Sequence, residues 1–584
     1  MPERSNIIIF KRLSIEQRIV SATFAVIVLV GIAIIVGESG TSDYELAVLN
    51  LGPFAIHVPW LRWDHWHISE GYLGLIAAFI LFLSSQVFGA RARLRIAGAL
   101  SAVTLVSGIV AIGFVPAIRP QAHDIRDQML YYLGAKYYDE IGYEALTGCI
   151  IQAARENGVR PPPRFRDQST NAILDTARYL ASAPACRDRF SPEKWGAFSR
   201  DVLVFASGIT KWTPYQWELT LSDHGFNGSP VLRRIISTTA VVFPATHRGL
   251  SLYGLLNLFA VFIALYAILF RVGWREALVT ALLMFVYSGD GLVFLMSIPR
   301  YFWLSAILTG VALLYRGGRV AVPLAGALLI LSAGIKVFPG AWLVGPSLLA
   351  AGEIRRNRSL KGGGARLLMG AAAAAVILFV WTIADAHHLA NWTEFIDRMR
   401  LNANRATTGC VGFFFNFVRP LPEPNGHLGP MVMAMRNPLL GPVTMLHVVR
   451  ALQVLLTIAV LRASWRLGLP RAAMLTGFGL MFLWTKPMGY YYAGFLGLPL
   501  LFPYGQDRNA FLFASLWLVL TAAVTKMVCH RVDSAVLYTL IISSSLTVFL
   551  LGALCRLEIE YRRGRTKSRQ SEPSAEPRAP EHEK

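Results

Sequence analysis

Long stretches of this chain carry no charge, and they recur at a spacing that suits helices crossing a bilayer. Ile19–Val36, "IVSATFAVIVLVGIAIIV", is one such run. A hydrocarbon core needs about 20 apolar residues wound as helix, because unpaired backbone groups cannot be left in lipid. About fourteen runs can be drawn: 19–36, 72–89, 96–117, 250–270, 276–292, 300–315, 320–335, 337–352, 365–385, 441–462, 472–487, 489–505, 510–529 and 534–555. The least marked divisions fall near Lys336 and Tyr490. The fold class expected is an all-α polytopic membrane protein.

Polar segments between the runs set the topology. "FKRLSIEQR", "GARARLR", "RVGWRE", "YRGGR", "EIRRNRSLKGGGAR", "LRASWRLGLPR" and "YRRGRTKSR" alternate with acidic or mixed loops. With the N-terminus inside, nearly every basic loop is cytoplasmic, and an even span count puts the C-terminus inside too. Two long loops then face outward, 119–249 and 386–440. The first carries short helical periods in "DQMLYYLGAKYYDEIGYEALTGCIIQAARE" and "TNAILDTARYLAS", and "SPEKWGAFSRDVLVF" opens on Ser-x-x-Lys, a helix start short of a full capping box. The expected organisation is an N-terminal extension with two spans (1–94), a transmembrane core (95–561) holding both outer loops, and a polar, proline-containing tail (562–584) expected to be disordered. No internal repeat is visible.

Composition agrees with this class: 54% hydrophobic residues, 16% charged, mean hydropathy +0.47. The net charge of +21 would suggest nucleic acid in a soluble protein. Here basic residues mark cytoplasmic loops and meet anionic headgroups. No zinc-ligand spacing, Walker loop or dinucleotide fingerprint occurs, so the expected partner is the bilayer and not nucleic acid. The basic start "MPERSNIIIFKRLSIEQR" mimics a signal peptide, but the following run is too long and lacks a convincing small-residue cleavage site, so it reads as a retained anchor. Cys149, Cys186 and Cys410 fall in segments expected outside the cytoplasm. A Cys149–Cys186 bridge and free thiols packed on apolar surface are both open. Cys529 and Cys555 lie near helix ends and suggest nothing further.

Candidate chemistry begins just past the third run, at "HDIRDQMLYYLGAKYYDEIGY" (His123–Tyr143). Asp124 and Asp127, three apart, can share a helical face. The tyrosines behind them suit a water–lipid interface, where the ring is apolar and the hydroxyl wet. A helix lying in the headgroup plane would bring one acid to a lipid-borne substrate, where a carboxylate takes a proton from an attacking hydroxyl and His123 orients it. Ordinary solvated loop acids are the plainer alternative. Arg300 ("SIPRYFW") and Lys336 ("SAGIKVFPGAW") break apolar stretches at the same outer side. Cations at such a depth need a carboxylate, a wet cavity or a phosphate, unless they snorkel to the headgroups. "WTKPMGYYYAGF" adds Lys486, Tyr490 and Tyr491, read either as a sugar-stacking surface or as a plain aromatic belt. Asp290 ("YSGDGL") is another outer acid, able to bind a hydroxyl or a metal. His387 and His388 are adjacent, a poor arrangement for one metal, and read as loop residues. "NWT" (Asn391–Thr393) matches a glycosylation sequon by a short pattern.

Together these features resemble the GT-C superfamily of polytopic glycosyltransferases, which use polyprenyl-phosphate sugars. In that group the first outer loop of the core carries a catalytic acid just past the membrane exit, followed by a juxtamembrane helix. The chain looks most like a bacterial branch with a His-acid pair before "YYLGAKY", an R-x-x-W-like element and K/R-x-F-P. Here those are His123–Asp124, Arg300–Trp303 and Lys336–Pro339. "CRDRFSPEKWGAFSRDV" and "LSDHGFNGSP" also look like that branch's loop. The resemblance covers most of the chain from about Arg95 to Arg556. The chain departs from it in two extra N-terminal spans and in Asp127, a rival to Asp124.

The resemblance implies a GT-C-like bundle with helical outer-face juxtamembrane loops, and an inverting transfer from a polyprenyl-phosphate sugar to a hydroxyl on the periplasmic face of a bacterial inner membrane. Asp124 is the preferred base, with Arg300 and Lys336 stabilising the departing phosphate. No cofactor is expected, and the logic requires no metal. The acceptor class, glycan, lipid or protein, stays open. Two other functions fit some of the pattern. A transporter or flippase of lipid-linked glycans would also want cations and aromatics, but paired halves are not visible. A membrane scaffold would gather no cavity from Asp124, Arg300 and Lys336.

Overall fold

A computed structural model of the chain describes residues 14–37, 48–51, 54–57, 99, 125–170, 172–182, 184–210, 214–223, 225–286, 302–384, 389–403, 411–417, 419–420, 433–434, 442–485, 497–532 and 535–570. Helices dominate. Three are long and apolar enough to cross a membrane, Gly363–Ile383, Leu446–Ser464 and Thr539–Arg563, while other apolar helices such as Phe302–Arg316 and Ala321–Ile335 are shorter. The exposed faces of the long helices argue for lipid. Val376 and Ile377 on the first, and Leu455 and Ile458 on the second, are each more than half exposed. Water does not tolerate such contiguous apolar surface without a partner.

Most of the remaining apolar runs also form helices, among them His247–Arg271, Trp274–Val286, Ala341–Asn357 and Arg508–Val532. The expected span at 72–89, all of 96–117 except residue 99, and residues 489–496 lie outside the described residues. From residue 497 the expected 489–505 span is a 3-10 turn and loop instead, because Pro499, Pro503 and Gly505 interrupt the apolar run. Near Lys336 the division is real. The helix Ala321–Ile335 ends, and a short 3-10 turn over Phe338–Gly340 precedes the next helix. The all-α expectation needs amendment, since three short antiparallel strand pairs occur: Val48–Leu51 with Phe54–His57, Arg164–Arg166 with Ile173–Asp175, and Arg419–Pro420 with Met433–Ala434. Part of the expected tail is helical, while residues 571–584 lie outside the described residues. The last helix runs on from Ala535 to Gln570, past Arg562, which pairs with Glu558 one turn earlier at 3.0 Å.

Close approach of small residues locks the bundle. Ala321–Ile335 packs between Phe302–Arg316 and Gly363–Ile383. A Cβ at Gly326 would fall 2.2 Å from the Leu367 carbonyl oxygen, and one at Gly370 would fall 2.0 Å from that of Pro323. The two backbones touch because neither position has a side chain.

The bundle has two chemically different ends. At one, the basic turns gather around residues 500–507. Arg275 lies over the Tyr504 ring at 4.0 Å, Arg471 donates to the Leu501 carbonyl at 2.9 Å, and Arg556 pairs with Asp507 at 2.5 Å. At the other end, residues 125–240 form a helical cap. Its aromatic core includes Tyr132, Tyr137, Phe198 and Phe226, all buried. Some of the cap's helices start on side-chain oxygens, as Ser191 accepting from the Lys194 amide at 3.3 Å illustrates. A Cys149–Cys186 disulfide, Cα atoms 5.3 Å apart, ties Leu146–Glu156 to the turn Cys186–Arg189. That settles the alternative left open by the cysteine positions. The turn between Arg164–Arg166 and Ile173–Asp175 closes on Asp167, which accepts from Ser169 and Thr170 through both backbone and hydroxyl. Burial opposes the Asp167 charge, but these donors outweigh it and hold its carboxyl below the usual range.

Two expectations follow for the cap. Cys149 and Cys186 should resist alkylation until reduced, and C149A/C186A should lose about 2–4 kcal/mol of cap stability in thermal unfolding; labelling of both thiols without reductant would contradict the bridge. The Asp167 contribution is complete above the ordinary carboxylate range and is lost as pH falls through its lowered folded-state value. Wild-type stability should therefore decline more steeply than that of D167N between about pH 5 and pH 2, whereas parallel curves would remove the role of the turn.

Candidate functional site

The site grows from the end of the helix Ala321–Ile335. Lys336 leaves it with an extended backbone, and Pro339 prevents the helix from continuing. The orphaned last carbonyls need donors. Ser229 supplies one, donating to the carbonyl of Gly334, with the Ile335 oxygen at 3.2 Å. The same hydroxyl accepts from the Leu232 amide at 3.1 Å and so caps the helix Pro230–Ala240. One side chain thus joins the end of a bundle helix to the start of a cap helix. Ser332 adds a bond to the Trp303 carbonyl at 2.7 Å, and the Trp303 and Phe338 rings meet edge-on at 5.0 Å.

Lys336 itself is only 8% exposed. Its ammonium does not snorkel. It lies 3.0 Å from the Tyr131 hydroxyl and 3.3 Å from Asn227 Oδ1, with the Tyr131 ring centre at 5.2 Å. The Tyr131 hydroxyl also donates to Asn227 Oδ1. A phenol and an amide oxygen are among the groups that replace its water. The helix Ile125–Lys136 can bring Tyr131 here because Gly134 lets it press against Phe226: a Cβ at Gly134 would sit 2.5 Å from the Phe226 Cβ. Phe226 in turn stacks on Tyr143 at 5.5 Å and meets Tyr131 edge-on at 5.7 Å. Tyr131 of "YYLGAKY", Asn227 of "GFNGSP" and Lys336 therefore meet in one place, while Trp303 packs on Phe338 two residues past Lys336.

The tyrosine patch is not an interfacial surface, which corrects the reading of its rings and hydroxyls as facing lipid and water. Tyr131, Tyr132, Tyr137, Tyr138 and Tyr143 are buried inside the protein. Their hydroxyls take internal acceptors: Asp201 for Tyr137 at 2.8 Å, Glu394 for Tyr138 at 2.6 Å, and the Gly228 carbonyl for Tyr143 at 2.8 Å. Burial, reinforced by Asp201 or Glu394, pushes the Tyr137 and Tyr138 hydroxyls well above their ordinary ionisation range. They remain neutral donors at any physiological pH.

Of the other candidate residues, Asp127 belongs to the first turn of the Tyr131 helix, four residues before Tyr131. His123, Asp124, Asp290, Arg300, Lys486, Tyr490 and Tyr491 lie outside the described residues, as do His387 and His388. Among the described residues, no three His, Cys, Asp or Glu side chains gather as a metal site.

A second junction escaped sequence reasoning. Arg398, from the helix Ala390–Ala403 in the second long loop, is buried and donates to the backbone and side-chain oxygens of Gln168 in the first. Gln168 passes the link to Thr147 at 2.8 Å, and Arg166 donates to the Ser222 carbonyl at 2.7 Å. In "FIDRMR" Arg398 reads as a solvated charge, and no local signal marks it. Asn227 was legible only as part of the segment "LSDHGFNGSP".

The Gly134–Phe226 contact is directly testable. Gly134→Val should cost about 1–3 kcal/mol through overpacking, and pairing it with Phe226→Ala should recover part of that loss in thermal unfolding. An unchanged melting temperature for Gly134→Val would contradict the packing.

No family model matches the chain, and neither a curated protein nor a solved structure aligns with it.

Proposed function

We propose that this protein is an integral-membrane glycosyltransferase of GT-C type. It moves a sugar from a polyprenyl-phosphate donor to a hydroxyl acceptor at the cap end of the bundle, the periplasmic face of a bacterial inner membrane, with both termini in the cytoplasm. The observation that carries the reading is Lys336. A buried ammonium at the junction of cap and bundle is costly, and its partner Tyr131 follows Asp127 by four residues in one helix. A cation at the junction of cap and bundle, with a phenol and an amide oxygen among its partners, suits a lipid-borne phosphate.

The chemistry is simple. The acceptor oxygen attacks the anomeric carbon, its proton passes to a carboxylate, and the bond from that carbon to the phosphate oxygen breaks with inversion. The electron pair leaves on the phosphate. In this scheme Asp124 is the base, with Asp127 the rival acid. Lys336 and Arg300 balance the charge that develops on the leaving group. Lys336 would exchange Tyr131 or Asn227 for a phosphate oxygen, so those two residues position the ammonium before the donor arrives. Asp290, Lys486, Tyr490 and Tyr491 are the proposed sugar and acceptor side. The rival reading is transport of a lipid-linked glycan.

Reconstituted protein supplied with labelled polyprenyl-phosphate sugars and an envelope extract should move label from lipid to acceptor. Asp124→Asn should lower transfer by about 10²–10⁴-fold without loss of donor binding, and Lys336→Met should weaken donor binding about tenfold. Full activity in Asp124→Asn would shift the base to Asp127. Unchanged donor binding in Lys336→Met would remove the phosphate clamp. Movement of intact donor between leaflets without bond cleavage would favour the transporter.

A further inference from the structure

At the basic end of the bundle a cleft of about 840 Å³ opens between the last turns of two of the membrane-length helices, Leu446–Ser464 and Thr539–Arg563. It is far from Lys336. The helix Ala341–Asn357 starts at the Lys336 turn, and a Cβ on Gly352 of that helix would touch Trp465 at 3.0 Å, beside the cleft. Eleven residues of helix separate Ala341 from Gly352, about 16 Å at 1.5 Å per residue.

Two features of the cleft are combined in few soluble ligand sites. Its floor is apolar, from Ala459, Ala463, Leu554 and Leu557. That floor continues along the same two helices into residues that face outward, Leu455, Ile458 and Leu551. Its rim is cationic. Arg462, Arg466, Arg471 and Arg562 face two carboxylates, Glu558 and Glu560, so the rim carries a surplus of two positive charges (four less two). The carboxylates hold guanidiniums in place without cancelling them. Glu558 takes Arg466 at 2.6 Å and Arg562 at 3.0 Å, and Glu560 grips Arg471 through two bonds of 3.0 and 2.8 Å. Arg466 is further pinned over the Tyr561 ring at 3.9 Å. Arg462, one turn before Arg466, is exposed and makes no hydrogen bond or ion pair among the described residues.

We propose that this cleft binds the phosphate headgroup of an anionic phospholipid, with an acyl chain lying along the Leu455–Ile458–Leu551 face. Preplaced guanidiniums suit a phosphate better than ammoniums, because their forked donors match its oxygens. The apolar floor gives the lipid an advantage over a soluble phosphate, since each buried methylene adds to binding. The ligand fills the wedge between the two helices and so splints them. This inference does not depend on the glycosyl-transfer reading, because it concerns the opposite end of the bundle.

The test uses the full-length protein in neutral detergent, titrated with dioctanoyl phosphatidylglycerol, dioctanoyl phosphatidylcholine or inorganic phosphate, and read by native mass spectrometry and thermal shift. Phosphatidylglycerol should bind at least about tenfold more tightly than phosphatidylcholine and raise the melting temperature. Each of R462Q and R562Q should lower its affinity about fivefold, while phosphatidylcholine binding stays unchanged. R462Q disturbs no described contact, so its loss of lipid cannot be ascribed to unfolding. Equal binding of the two lipids, or unchanged phosphatidylglycerol binding in R462Q/R562Q, would overturn the site. Inorganic phosphate binding as tightly as the lipid would overturn the lipid assignment.

Discussion

Burying the Lys336 ammonium costs several kcal/mol unless oxygens replace its water, and here the replacements come from distant parts of the chain. Tyr131 reaches it from the first helix of the cap, and Asn227 from a turn before the helix Pro230–Ala240. Neither contact survives a slip of one helix by a single residue, because each step rotates a side chain by about 100°. Ser229 adds a backbone condition, since it must cap one helix while closing another. The charge therefore sets the register between cap and bundle. It is also the feature most easily turned to use, because a ligand oxygen can take the place of a protein oxygen around it.

The second constraint is the lipid-facing surface. Apolar faces such as that of Gly363–Ile383 are stable only where water is absent, so the polar work of the protein is driven to the two ends. The ends solve that problem differently. At the cap end, long segments fold over the bundle and bury their polar atoms among themselves, through Gln168, Arg166 and Arg398 and through the tyrosine hydroxyls. At the basic end the turns are short, and arginines pair with glutamates on neighbouring helices. The first arrangement buries its polar groups, whereas the second leaves a cleft open between two helices.

Hydrophobic periodicity made most of the helices legible, because an apolar run bounded by arginines or by Pro and Gly has few other solutions. Lys336 was legible as a charge out of place in such a run, and a Cys149–Cys186 bridge as one of two options. The tyrosines were not. An aromatic-rich helix beside a membrane exit reads alike whether its hydroxyls meet water or a buried Asp201 or Glu394, and only tertiary contacts decide between them. Arg398 was hidden for the same reason, since a buried arginine and a solvated one have the same local sequence. The last helix outran its expected end because charged residues such as Arg562 and Glu558 support a helix by pairing along it. The 497–505 segment fell short because its prolines outweighed its hydropathy.

The most direct measurement is an experimental density map of the protein in lipid nanodiscs loaded with a polyprenyl phosphate. The account predicts phosphate density about 3 Å from the Lys336 Nζ, with Tyr131 or Asn227 displaced from the ammonium. Phosphate bound elsewhere, with Lys336 still closed on both Tyr131 and Asn227, would contradict it.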